Sequence, residues 1–229
     1  IEKLNKVLRR IKGRKATPFE LHRMACIIAD AVISGGIRRS ALLCQFDADD
    51  EEMLNCKTGN WFSEYPELAR ANNSAVILPS TPKETYDKIF ESIKEFGEPG
   101  LVFLSHKDVV YNPCCEVGMF PKFRNKDGVH ESGFSFCNLT EINGAKIKTK
   151  EQFLDACKGA AILGTIQASY TNFKVLSPVS KKIAERDALI GVGITGMCEN
   201  PEILFDPDLQ EEGARVVKEM NRRVADLIG

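Results

Sequence analysis

Histidine is scarce in this chain, and so is any surplus of charge. The three histidines, at positions 22, 106 and 130, stand far apart, and the eight cysteines (26, 44, 56, 114, 115, 137, 157 and 198) lack the close paired spacing of a structural zinc site. No metal centre is expected. Lys and Arg number 31 against 32 Asp and Glu, leaving a formal charge of -1. With no basic stripe carrying interleaved aromatics, this balance argues against nucleic acid as a partner. The basic run KVLRRIKGRK at residues 6–15 reads as a solvated helix face and linker. No apolar run approaches the about 18 residues needed to cross a membrane, so no membrane partner is expected. Residues 1–16 also lack the apolar stretch of a secretory signal. Cysteines without a secretory route read as reduced thiols of a cytoplasmic protein, with room for a catalytic pair among them.

What is present is an ordinary globular composition, 43% apolar and 28% charged, in a chain long enough to bury a sizeable core. In TPFELHRMACIIADAVI, Thr17, Pro18 and Glu20 have the form of a capping box, and Leu21, Met24, Ala25, Ile28 and Val32 recur at helical spacing. SGG ends that helix, and IRRSALLCQF is β-rich. DADDEEMLNCK opens a short acidic helix with Asp47 or Asp49 at its N-terminus. SEYPELARANN is a turn and short helix. SAVILP is a strand, with Asn72, Asn73 and Ser74 forming a polar turn at its start. TPKETYDKIFESIKEFGEPG is a second capped helix, with Thr81 as cap, Pro82 first and Gly97 and Gly100 as stops. LVFLS is a strand, KEQFLDACKGAAILGTIQASYTNF one long helix or two, LIGVGITGM a glycine-punctuated strand, and DPDLQEEGARVVKEMNRRVADLI a helix. Strands alternating with helices predict an α/β fold with a largely parallel sheet, in which SAVILP and LVFLS are buried on both faces. Ligands sit at the ends of such strands. Ser34-Gly35-Gly36, Asn72-Asn73 and Asn112 all fall at strand boundaries.

The stretch VVYNPCCEVGMF, residues 109–120, concentrates the chemistry. A thiol can serve as nucleophile, metal ligand, disulfide partner or hydrogen-atom abstractor. A nucleophile wants a histidine beside it, and no motif places His106 or His130 against Cys114. A carboxylate two residues away raises a thiol's pKa, which suits chemistry in which the sulfur stays neutral. On an extended segment Glu116 falls on the same side as Cys114 and can act as a general base. The bland alternative is a buried loop with two core cysteines. Downstream, GFSFCNLTEIN sets Cys137 in an apolar run before Asn-Leu-Thr-Glu.

Asn-Pro-Cys-x-Glu followed by Cys-Asn-Leu-Thr-Glu resembles the active-site segment of ribonucleotide reductases. SGGIRRSALL, DDEEMLNCKTGNW, RANNSAV and IGVGITGM resemble the same family's catalytic subunit, in order, over residues 34–198. The wording is nearest the adenosylcobalamin-dependent, class II branch.

The resemblance implies a fold and a set of roles. The fold would be part of a ten-stranded α/β barrel with Cys114 on a finger loop, residues 1–229 forming one partial catalytic domain. Residues 1–16 would be a linker or helix, 17–200 the barrel segment and 201–229 a C-terminal helix. Cys114 would become a transient thiyl radical and take the 3′-hydrogen of a ribonucleotide. Glu116 would remove the 3′-hydroxyl proton, Asn112 would hold the 2′-hydroxyl side, and Cys137 would be one of two thiols that become a disulfide. SGGIRRS would link substrate and effector nucleotide through Gly35, Gly36, Arg38, Arg39 and Ser40, with Asn72 and Asn73 nearby. Cys115 and the remaining cysteines read as structural or incidental. Adenosylcobalamin and nucleoside triphosphate effectors are the implied cofactors, and a thioredoxin-like protein the implied reductant.

Parts of the pattern are missing: the partner thiol of Cys137, the loop for substrate phosphates and the electron-relaying cysteine pair. The chain is therefore expected to be the middle portion of a reductase, inactive without companion segments. Two other functions stay open: a class I large-subunit fragment using a metal-radical partner, and a non-catalytic nucleotide-binding or assembly module. Cobalamin dependence separates the first, and indifference to Cys114→Ala the second.

Overall fold

The computed structural model of the chain describes residues 1–32 and 41–229. It forms two compact units, Ile1–Met119 and Phe120–Gly229.

The first unit opens with helix α1 (Glu2–Arg10) and helix α2 (Pro18–Val32). The expected capping box forms at α2: the Glu20 N–H donates to Thr17 Oγ1 at 3.2 Å and the Thr17 N–H to Glu20 Oε2 at 2.9 Å. Strand β1 (Leu42–Asp47) leads into helices α3 (Glu51–Leu54) and α4 (Trp61–Glu64), a 3-10 turn at Pro66–Arg70 and strand β2 (Ala71–Ile77). Helix α5 (Lys83–Phe96) then crosses to strand β3 (Gly100–Phe103), and a hairpin of β4 (Val110–Tyr111) and β5 (Gly118–Met119) closes the unit. β1, β2 and β3 form a parallel sheet in that order. Its helix-side face packs Phe46, Ala71, Ala75 and Ile77 against Cys26, Met53, Trp61, Leu68 and Ile89.

Four expectations change here. Asp50, not Asp47 or Asp49, caps α3, its carboxylate accepting the Met53 N–H at 3.0 Å. Thr81 does not cap α5. Its hydroxyl turns back to accept the Leu78 N–H at 2.8 Å, and the helix starts after Pro82. Asn72, Asn73 and Ser74 are no turn but the body of β2, paired with Leu43, Cys44 and Gln45. Nor is β3 buried on both faces: Val102 is buried, but Phe103 is 66% exposed.

The second unit holds an antiparallel hairpin, β6 (Lys122–Arg124) with β7 (His130–Ser132). It continues through strand β8 (Asn138–Asn143), helices α6 (Lys150–Ala168) and α7 (Pro178–Asp187), and strand β9 (Ile190–Thr195), which pairs parallel with β8. Helices α8 (Pro201–Leu204) and α9 (Pro207–Ile228) follow. The core gathers Ile142, Ile147, Phe153, Cys157, Leu204 and Leu209. Asp206 caps α9, accepting the Asp208 and Leu209 N–H groups.

The α/β class with parallel sheets is present as expected. Of the ten-stranded barrel, the described residues show parallel strands in separate sheets of three and two and no ten-stranded closure. Closure needs a full ring of tilted, staggered strands, and sheets this narrow keep open edges. Among the described residues no helix is long and apolar enough to cross a membrane.

Candidate active site

Strand alternation decides which residues of the first sheet share a face. Leu43, Gln45 and Asp47 of β1 lie beside Asn72, Ser74 and Val76 of β2, with Gly100 and Val102 of β3 in register beyond. The β4–β5 hairpin covers this face. Val109 and Tyr111 pack on Val76, Val102 and Leu104, and the Tyr111 N–H donates to Gln45 Oε1 at 2.6 Å. Gln45 thus fixes the hairpin to the sheet, a role that no sequence signal announces.

Residues 112–117 form the hairpin's tip. The Asn112 N–H reaches the Val117 carbonyl at 3.4 Å, and the Cys115 N–H reaches the Asn112 carbonyl at 2.9 Å, a β-turn with Pro113 in its favoured second place. Asn112 Oδ1 accepts the Val117 N–H at 3.0 Å. The side-chain oxygen therefore shapes the loop. The segment is a turn, not the extended stretch expected. Cys115 sits at φ 64, a region that costs an L residue about 1–2 kcal/mol. Alternation along the chain therefore does not relate Glu116 to Cys114. Cys114, Cys115 and Glu116 are all exposed, so the loop is not the buried one with two core cysteines. The tip is a presented loop.

The two asparagines of β2 part company. Asn72 lies exposed on the hairpin's face of the sheet, whereas Asn73 is 2% exposed on the opposite face, its Nδ2 donating to Cys56 Sγ at 3.0 Å. Asn73 is thereby occupied with the core. Gly35, Gly36, Arg38, Arg39 and Ser40 lie outside the described residues.

Cys137 belongs to the second unit, half-buried immediately before β8 and in no disulfide. Asn138 pins that strand end: its N–H and Nδ2 both reach the Leu189 carbonyl, at 3.3 and 2.8 Å. Further along β8, on the face opposite Asn138, the Glu141 carboxylate lies over Gly193 of β9, so closely that a Cβ there would collide with it. Gly193 answers to Glu141, the carboxylate that closes the Cys-Asn-Leu-Thr-Glu run.

Burial sorts the other thiols. It pushes Cys26 up to about 12 and Cys44, Cys56 and Cys157 to about 11, so these remain neutral and unreactive. Cys198 is exposed, and no core claims it. Among the described residues no three metal-ligating side chains gather.

The fold and tip define a class: an α/β protein that presents a thiol, a carboxylate and an amide on a hairpin braced against a parallel sheet. Similarity then becomes specific. The chain is 25% identical over 211 residues to the adenosylcobalamin-dependent ribonucleoside-triphosphate reductase of Levilactobacillus brevis, covering 85% of this chain and 26% of that protein. It is 25% identical over 215 residues to the enzyme of the same name from Lactobacillus leichmannii, with the same coverage. Against the one from Lacticaseibacillus paracasei it is 32% identical over 101 residues, 44% of this chain and 13% of that protein. The chain spans about a quarter of the length of the curated relatives it matches over most of its own length. No family model and no solved structure matches it.

Proposed function

We propose that this chain carries the thiol-presenting part of an adenosylcobalamin-dependent ribonucleotide reductase acting on ribonucleoside triphosphates. The observation that carries the reading is the hairpin tip. Asn112, Cys114 and Glu116 stand together on one exposed loop, in a chain similar over most of its length to reductases of that name. The substrate is bound with its ribose at the tip. Cys114, as a thiyl radical, takes the 3′-hydrogen; Glu116 takes the 3′-hydroxyl proton; the Asn112 amide donates toward the 2′-hydroxyl, which leaves as water. Cys137 and a thiol from outside the described residues then supply two electrons and two protons and become a disulfide, the 3′-hydrogen being returned from Cys114.

Bound adenosylcobalamin supplies the hydrogen-abstracting radical chemistry that oxidises a thiol by one electron. The described residues do not by themselves enclose a corrin: the open groove between α2 and β1 holds about 530 Å³ and the one beside α6, α7 and α9 about 590 Å³, each less than the ring and its side arms occupy. What they meet is the demand on the thiol, since Cys114 is exposed at a turn. The corrin, the substrate phosphates, the effector nucleotides and the thioredoxin-like reductant fall to companion segments and to residues 33–40.

The test is reconstitution. The tagged chain is purified with its companions from its host and assayed for deoxynucleoside triphosphate formation with adenosylcobalamin and a dithiol. Cobalamin-dependent product, abolished by Cys114→Ser without loss of nucleotide binding, is expected. Nucleotide binding without turnover in the reconstituted wild type would instead favour the binding module.

A further inference from the structure

We propose that Cys114 and Cys115 form a vicinal dithiol: a site that chelates trivalent arsenicals and that an oxidant closes into a reversible disulfide, taking Cys114 out of use. Two observations carry this. Both thiols are exposed on the same turn, while Cys26, Cys56 and Cys157 are buried and Cys44 half-buried. The second is the backbone of Cys115. At φ 64 it occupies a conformation that glycine adopts freely and side-chain-bearing residues rarely do. The turn is held from both sides by Asn112, through its carbonyl to the Cys115 N–H and its Oδ1 to the Val117 N–H. A position built for glycine holds a thiol.

Adjacency sets the chemistry. Neighbouring Cα atoms are about 3.8 Å apart, short of the roughly 4.4–6.8 Å that disulfides usually span. The eight-membered ring is therefore strained, and strained exposed disulfides are the labile, regulatory ones. Closure with a disulfide oxidant balances as follows. One Cys thiolate attacks oxidised glutathione and releases one glutathione. The neighbouring thiolate then displaces the second, leaving the Cys114–Cys115 bond, two glutathiones and no net oxygen transfer. A dithiol reductant reverses both steps. A trivalent arsenical takes the same two sulfurs, with loss of two protons to its oxygen as water.

The site stands on geometry alone; only its consequence for turnover rests on the reductase reading. The experiment accordingly uses mass, not activity. The full chain is treated with phenylarsine oxide, washed with a monothiol and digested. The peptide holding residues 114 and 115 is expected to retain one arsenical, released by a dithiol, and to lose it in Cys115→Ser and in Cys115→Gly, which suits the turn. With oxidised glutathione, that peptide is expected to be lighter by two hydrogens and free of adduct. Cys115→Gly should instead carry glutathione on Cys114. Equal arsenical retention in the variants, two glutathiones on the wild-type peptide, or a bridge from Cys114 to a more distant cysteine would each overturn the proposal. Any of these could occur with the reductase reading intact.

Discussion

Burial on α2, with the Lys57 ammonium close by, holds the His22 imidazole at a pKa of about 4, against a smaller upward pull from Asn73. A free histidine titrates near 6.5. Between those values the unfolded chain binds a proton that the folded chain refuses, so stability rises with pH through the window and is lost as pH falls from about 6.5 toward 4. The span corresponds to about 3 kcal/mol. His106 and His130 are exposed, which leaves His22 as the histidine whose burial couples to folding. Urea unfolding of the first unit should lose that much between pH 7 and pH 4, and His22→Leu should flatten the slope; an unchanged slope would refute the assignment. Glu20, lowered to about 2 mainly by its hydrogen bond from Arg14, contributes in a separate window. Its stabilisation is present above the unfolded carboxylate pKa and is lost as pH falls toward 2. At the same scale, Lys57 is 4% exposed, its Nζ bonded to the Ala71 carbonyl at 2.5 Å and to Glu98 Oε2 at 2.8 Å. Lys57→Met removes a donor from the Ala71 carbonyl and leaves Glu98 Oε2 with the Asn73 N–H at 3.1 Å but without its cation, and should cost about 2–3 kcal/mol in the same denaturation assay.

Elements show where local chemistry suffices and where it does not. Thr17 and Glu20 announce α2 because a capping box needs only neighbours in sequence, and the apolar seam of α9 is legible for the same reason. The start of β2 is not legible in the sequence because asparagine is poor in strands by propensity. Its strand conformation comes from partners far along the chain: the ladders to β1 and β3, and Cys56 for Asn73. Thr81 does not cap α5 because a donor on its other side, the Leu78 N–H, holds its hydroxyl. The candidate site divides in the same way. Asn112, Cys114 and Glu116 could be named from their motif, but Gln45, the brace of the hairpin, belongs to a strand that sequence alone does not lay beneath it. Close helix approach is another such long-range fact. A Cβ on Gly213 of α9 would lie 2.7 Å from the Phe153 ring and 3.2 Å from Cys157 Sγ on α6. Gly213→Ala gains about 1 kcal/mol of helix propensity but overpacks this contact, at about 1–3 kcal/mol. A net loss in thermal stability is expected, relieved when Phe153→Leu is added, because contacting sites couple. A stabilised single variant would mean that the helices part freely.

At the scale of the molecule, the reagents of the proposed reaction belong to two units: Asn112, Cys114 and Glu116 to the first, Cys137 to the second. On the reductase reading these groups act at different moments, and substitutions can separate them. Cys114→Ser removes the group that starts the reaction, so neither exchange of the substrate's 3′-hydrogen nor any deoxynucleotide should appear. Glu116→Gln keeps the turn but loses the base, and a drop of about 10²–10⁴-fold in turnover follows from the usual worth of a positioned base. Cys137→Ser leaves hydrogen abstraction at Cys114 untouched and removes one of the two sulfurs that must give up an electron. The reconstituted variant should therefore still exchange the 3′-hydrogen while forming no deoxynucleotide, however much dithiol is added, because a serine oxygen cannot close a disulfide. If Cys137→Ser turns over normally with added dithiol, Cys137 is not the reducing thiol, and its half-buried place before β8 is structural.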